Sequence, residues 1–359
     1  GAWGIIGTDD DTPFTGHFDG NNHTIEIDHK GSATSFASLF GSIKTQNGYA
    51  VKNLNVTGIL QGHAAAGIVI SLLDGTIENC SFTGKIIAYA PFEYASEISV
   101  YWQSTFAGGI AAVITSGTIK NCKVENSIIL SNPYYVGAFG YVGGITSRML
   151  GGSIENCVVS EGNMIYGISQ HQMQAIVFDQ HAAEINAGGI VGEYLTGNLK
   201  DNEAYSEVHS WSDSGNFVGG VIGKMSGGSS SATITNNKYT ALAKSLELDD
   251  ENDEKNPVQY LPLEIVRDLI IGRCRRARVR GEPEDTVVAA MGIGRNSEGE
   301  ASDDPGCINV KPSGIKPAIL SNKTLTSAKV GENYSFTLEA EGTSPLTWKL
   351  EAGNLPDLC

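Results

Sequence analysis

Three of the six cysteines, Cys80, Cys122 and Cys157, fall in one recurring context, apolar-x-Asn-Cys. A zinc site would need clustered ligands at short spacing, and neither a CxxC pair nor an HExxH pair occurs. Hydrolysis of a glycosidic bond needs two carboxylates flanking it, and His171 and His181, which fall in one insertion, have no carboxylate constellation on neighbouring coils. No Ser/His/Asp or Cys/His order stands out. The acidic run Glu247, Asp249, Asp250, Glu251, Asp253 and Glu254 lacks the glycine turn and glutamate spacing of a calcium loop. The arginines that follow, Arg273, Arg275, Arg276, Arg278 and Arg280, read as partners of that run or as solvated charge. No catalytic residue, metal or cofactor is therefore expected. The chemistry left is recognition by aromatic side chains, and Tyr101, Trp102, Tyr135 and Trp211 are the candidates for ligand contact.

What positions these residues is a repeat. A Gly-rich step recurs as Ala107-Gly108-Gly109-Ile110, Val142-Gly143-Gly144-Ile145, Ala187-Gly188-Gly189-Ile190 and Val218-Gly219-Gly220-Val221, with Ala65-Ala66-Gly67-Ile68 as a variant. From the last residue of each step (68, 110, 145, 190, 221) to the fourth residue of the Asn half (80, 122, 157, 202, 237) takes 12, 12, 12, 12 and 16 residues. The return from 54, 80, 122, 157 and 202 to the next step takes 14, 30, 23, 33 and 19. A constant wall with insertions on one side only is the pattern of a solenoid.

The wall reads as β. Apolar residues such as Ile119, Cys122 and Val124 occupy positions one, four and six, one step off the period of two that a single strand would give. The residue outside the alternation is always Asn53, Asn79, Asn121, Asn156, Asp201 or Asn236. Asn and Asp tolerate left-handed backbone, so two short strands meet there at a bend. These six are expected to stack as a ladder of side-chain amides. The residues before them, Lys52, Glu78, Lys120, Glu155, Lys200 and Thr235, alternate in sign over five coils, which fixes register more than it stabilises. The cysteines share an inward column with Leu54 and read as apolar thiols in the core; a bridge between stacked coils is the geometric alternative.

The sequence Pro13-Phe14-Thr15-Gly16-His17-Phe18-Asp19-Gly20-Asn21-Asn22-His23-Thr24-Ile25, then Leu39-Phe40-Gly41 and the Ala-Gly-Gly-Ile-Val-Gly steps, resembles bacterial GLUG-motif repeat proteins over residues 1–245. The resemblance implies a right-handed parallel β-helix in a large surface protein, a class that includes adhesins and the non-catalytic regions of immunoglobulin A peptidases. Asp19-Gly20-Asn21 carries the signal of a hairpin turn that would close the N-terminal end of the stack. Residues 246–313 form a charged excursion, with a short helix over 262–271, a last strand within 286–303 and a linker. Residues 314–359, with Phe336 and Trp348, resemble the start of a bacterial immunoglobulin-like surface domain, too short for the roughly 100 residues of a complete sandwich.

The expected fold is therefore all-β, a right-handed parallel β-helix followed by an irregular segment and a partial β-sandwich. A net charge of −16 argues against nucleic acid and anionic membrane as partners. No apolar run is long enough to span a bilayer. The chain begins at Gly1 without a methionine and reads as a processed product or a piece of a larger protein. The expected role is non-catalytic binding of a glycan or host protein at a bacterial surface or outside the cell. A passive stalk and a β-helical polysaccharide lyase or glycoside hydrolase are the alternatives. Extra residues near 89–105, 132–140, 166–185 and 211–216 would project as neighbouring loops that carry the candidate aromatics.

Overall fold

The computed structural model describes residues 4–32, 34–90, 104–133, 138–168, 183–211, 216–226, 233–239 and 243–246, with short strands at 310–312, 318–319 and 340–341. The chain divides into two compact units, Gly1–Pro312 and Ser313–Cys359. Among the described residues every regular element is a strand. In the first unit these form a 20-stranded and a 6-stranded sheet, and all their pairings are parallel. The second unit holds an antiparallel pair, Ala318–Ile319 with Ala340–Glu341.

One repeat accounts for most of these strands. It begins in the 6-stranded sheet, for example at Phe139–Gly143, and turns at a Gly-Gly step into Thr146–Met149. It continues through Ser153–Glu155, bends at Asn156, and leaves through Val158–Val159 and Met164–Ile168. Each piece pairs with its counterpart one repeat away: Glu155 lies opposite Lys120 on one side and Lys200 on the other. The charged column thus stands in register as its spacing predicts, with Lys120 Nζ 2.7 Å from Glu78 and Lys52 Nζ 3.3 Å from Asp19.

The Gly-Gly step is set by close approach. A Cβ on Gly143 would sit 1.9 Å from the Thr146 carbonyl oxygen, across the corner from its own strand. One on Gly144 would meet the Gly189 oxygen of the next repeat at 2.1 Å and the Val159 side chain at 2.6 Å. The chain can therefore turn here, with a neighbour stacked above, only without side chains. Inside, one apolar cluster runs from Ile27 through Leu54, Phe82, Val124, Val159 and Ala204 to Tyr239.

All six bend residues occupy the left-handed region, with φ from 52° at Asn53, Asn79 and Asn156 to 56° at Asp201. Their backbones link neighbouring repeats: the Asn121 N–H donates to the Glu155 carbonyl at 3.0 Å and that of Asn156 to Lys200 at 3.1 Å. Side-chain amides link Asn79 to Asn53 at 3.2 Å and Asn53 to Asp19 at 3.1 Å. The expected ladder of side-chain amides is thus found, among the described residues, only at Asn79–Asn53, and the other four bends are linked through their backbones; an amide pair that sequence reasoning missed lies inside. Asn202 and Asn237 continue the inward column of Cys80, Cys122 and Cys157; Asn202 Nδ2 donates to Asn237 Oδ1 at 2.9 Å, and Asn202 Oδ1 accepts from the Cys157 N–H at 2.9 Å. The three thiols are free and buried.

The N-terminal turn differs from its expectation. Asp19-Gly20-Asn21 makes no hairpin: Phe18–Lys30 is one strand, parallel to Phe40–Gly62, and its register shifts between Asp19 and His23. Asn21 and Asn22, at φ 48° and 60°, form a bulge opposite the single left-handed Asn53. Pairing with a following repeat overrides the local turn signal. A strand does return to the stack after the excursion, at Val310–Pro312 beside Asn237–Tyr239. The expected strand within 286–303, the helix over 262–271, the acidic and arginine runs, Phe336 and Trp348 lie outside the described residues.

Candidate functional site

Strands of the 6-stranded sheet alternate between residues that face the core and residues that face away from it, of which Ala64, Tyr141 and Asn186 are nonetheless buried. Ala37, Ala65, Ala107, Val142, Ala187 and Val218 point into the core. Between them stands an outward row, one residue per repeat: Phe36, Ala64, Phe106, Tyr141, Asn186 and Phe217. Four of the six are aromatic. At a rung spacing of about 4.8 Å, rings in adjacent strands stack face to face. Tyr141 lies 5.2 Å from Phe106 at an interplanar angle of 20°, and 5.7 Å from Phe139 at 17°. Tyr141, 5 % exposed, is covered by this stack, whereas Phe36 and Phe139 keep 40 % and 37 % of their surface. The His63 ring meets Phe106 edge-on at 6.5 Å, and burial lowers its pKa.

The next strands of the repeat present a second outward row, Val113, Arg148, Glu193 and Lys224. The Gly-Gly corner brings the two rows together. The Arg148 guanidinium lies 5.1 Å from the Tyr141 ring centroid and Lys224 Nζ 4.5 Å from that of Phe217. Arg148 pairs with Glu193, which also accepts from Ser226 Oγ at 2.6 Å. Lys224 Nζ reaches Glu184 at 2.6 Å, and Asn186 Nδ2 donates to the same carboxylate oxygen at 3.1 Å. Burial, then the negative charge of Glu193, raises the Tyr141 pKa above its ordinary value in spite of Arg148. The corner is thus a charge-balanced polar layer beside a stack of rings.

Of the residues proposed for contact from sequence, Tyr101, Trp102 and Tyr135 lie outside the described residues. Trp211 ends the strand Glu207–Trp211, its backbone paired with Ile168 and Leu246, where a projecting loop was expected. Pairing with both neighbouring repeats carries the strand one residue into the supposed insertion. Phe139, Tyr166 and Tyr89 likewise stand on strands; Tyr166 is buried and stacked on His209 at 5.2 Å, and burial pushes its pKa up to about 12. Four stretches outside the described residues, 91–103, 134–137, 169–182 and 212–215, each shortly precede a strand of the 6-stranded sheet. Each insertion thus leads in sequence into a strand of the 6-stranded sheet. The row itself escaped sequence reasoning; its signal is the residue just before the apolar residue that opens each Gly-rich step.

No protein-family model matches the chain, and no curated protein matches it significantly. Among solved structures, a crystal structure described as a "putative immunoglobulin A1 protease" from Bacteroides ovatus is similar, with a TM-score of 0.49 and 23 % identity over 71 % of this chain and 67 % of that one.

Proposed function

We propose that this chain is a non-catalytic, extracellular or surface-borne bacterial binding segment, whose parallel strands close into a right-handed β-helix and whose 6-stranded face, with the insertions entering beside it, takes a glycan. The crossover rule supports the hand, since parallel strands joined in one direction wind to the right. The observation that carries the binding reading is the outward row of rings, with Phe36 and Phe139 open to solvent on a rigid sheet. Flat rings suit the C–H faces of sugars.

The test is an array of glycans and matrix proteins probed with the wild type, the Phe36→Ala/Phe139→Ala variant and the Trp102→Ala/Trp211→Ala variant. The reading expects glycan binding that the first variant loses with its melting temperature retained, and that the second weakens. Binding per folded molecule unchanged in both variants would overturn it. A second reading, a passive spacer, is favoured by the apolar core that runs without interruption from Ile27 to Tyr239. It expects no ligand on the array.

A further inference from the structure

We infer that Phe139, Glu184 and Lys224 form one surface subsite, which takes two adjacent hydroxyl groups of a neutral pyranose stacked on the Phe139 ring; this rests on the glycan reading above. Phe139 and Glu184 stand opposite each other on neighbouring parallel strands of the 6-stranded sheet. Strands so paired run about 4.8 Å apart, and in-register side chains on one face are neighbours. Both residues meet solvent: Phe139 keeps 37 % of its surface and the Glu184 side chain 22 %. Phe139 stacks on Tyr141, and the area it leaves open is free to take a ligand.

Lys224 Nζ donates to Glu184 Oε1 at 2.6 Å, and Asn186 Nδ2 donates to the same oxygen at 3.1 Å. The other oxygen, Oε2, accepts from none of the described residues. The Lys224 side chain keeps 23 % of its surface, and its ammonium has protons to spare beyond the one given to Glu184. The pair therefore presents an acceptor beside a donor, with no net charge. Two adjacent hydroxyls answer both, one donating to Oε2 and the other accepting from Nζ. A ligand of either charge would be attracted by one partner and repelled by the other. A neutral pyranose has the hydroxyl edge for this pair and a C–H face for the ring beside it. The neighbouring pair, Arg148 with Glu193, offers no such opening, because the Glu193 side chain keeps 8 % of its surface and also holds Ser226.

The experiment is calorimetric titration of the full chain with three sets of short oligosaccharides: neutral hexoses, anionic hexuronic acids and cationic hexosamines. It compares wild type, Glu184→Gln, Lys224→Met and Phe139→Ala, each with a thermal melt that gives the folded fraction. The wild type should prefer the neutral set. Glu184→Gln should weaken neutral-sugar binding about tenfold or more, because a site built to hydrogen-bond hydroxyls loses its charged acceptor. It should also turn the preference toward hexuronic acids, since Lys224 then stands unpaired. Lys224→Met should turn the preference the other way, toward hexosamines. Opposite shifts of this kind are a readout that a loss of packing alone would not give. Lys224→Met carries the test if Glu184→Gln does not fold. Wild-type affinity and preference in both variants, with binding lost in Phe139→Ala, would overturn the subsite and leave the glycan reading standing. No binding of any of the sugars by the wild type would overturn both. A wild-type preference for either charged set would overturn the neutral-ligand assignment.

Discussion

At the residue scale, the bends show what a single backbone preference can do. Left-handed φ costs an ordinary residue roughly 1–2 kcal/mol, and Asn and Asp adopt it more readily. Six repeats place one of them at the same point, with φ between 52° and 56°. Asn121→Ala should lower unfolding free energy by about 1 kcal/mol in urea titration, whereas Asn121→Gly should change it far less. These positions were legible in the sequence because the link from residue type to φ is local. The thiol column was equally legible, since Cys80, Cys122 and Cys157 share a spacing. Burial raises the Cys122 pKa well above its ordinary value, and bonding to Cys122 together with burial raises that of Cys80. Both thiols are held in the protonated, unreactive form. The sequence placed Asn202 and Asn237 at the same position of the repeat; what it hid is that they bond each other there, because a buried amide pair depends on partners 35 residues apart.

At the element scale, that pair makes a sharper test of the stacking. Asn237 Oδ1 accepts from both the N–H and the Nδ2 of Asn202, and Asn237 Nδ2 donates to the Leu199 carbonyl at 2.7 Å. Asn237→Cys alone leaves the Asn202 amide without its acceptor and should cost about 1–3 kcal/mol. Asn202→Cys/Asn237→Cys, which extends the thiol column by two repeats, should recover part of that loss in a double-mutant cycle. A purely additive cycle would argue against the column. The constant interval between Gly step and Asn bend made strand register readable. The outward row was missed because Ala64 and Asn186 interrupt its four rings, so that only its place before each Gly-rich step marks it. The N-terminal bulge was misread for the opposite reason: Asp-Gly-Asn signals left-handed backbone in a hairpin and in a bulge alike, and only the partner strand decides between them.

At the scale of the whole molecule, acidity links the stack to pH. Bonding to Tyr205, then Lys238, holds the Glu203 carboxyl below its ordinary 4.5, and bonding to the Asn21 N–H, then Asn53, holds Asp19 below 3.8. Groups with depressed folded pKa values contribute stability above their unfolded pKa and lose it as pH falls through the folded value. The urea midpoint should therefore drop between about pH 5 and pH 3, and Glu203→Gln should make that drop shallower. Glu203 was visible in the sequence only as part of a net charge of −16; Tyr205 and Asn21 lie two residues from their carboxylates, whereas Lys238 and Asn53 come from neighbouring repeats. The proposed binding depends on the same stacking, which aligns one residue per repeat in a row. The most direct measurement is a crystal structure of the chain with a bound neutral oligosaccharide. The account predicts sugar rings lying on the 6-stranded face against the exposed rings Phe36 or Phe139. Sugar bound on another face of the stack, with Phe36 and Phe139 untouched, would contradict it.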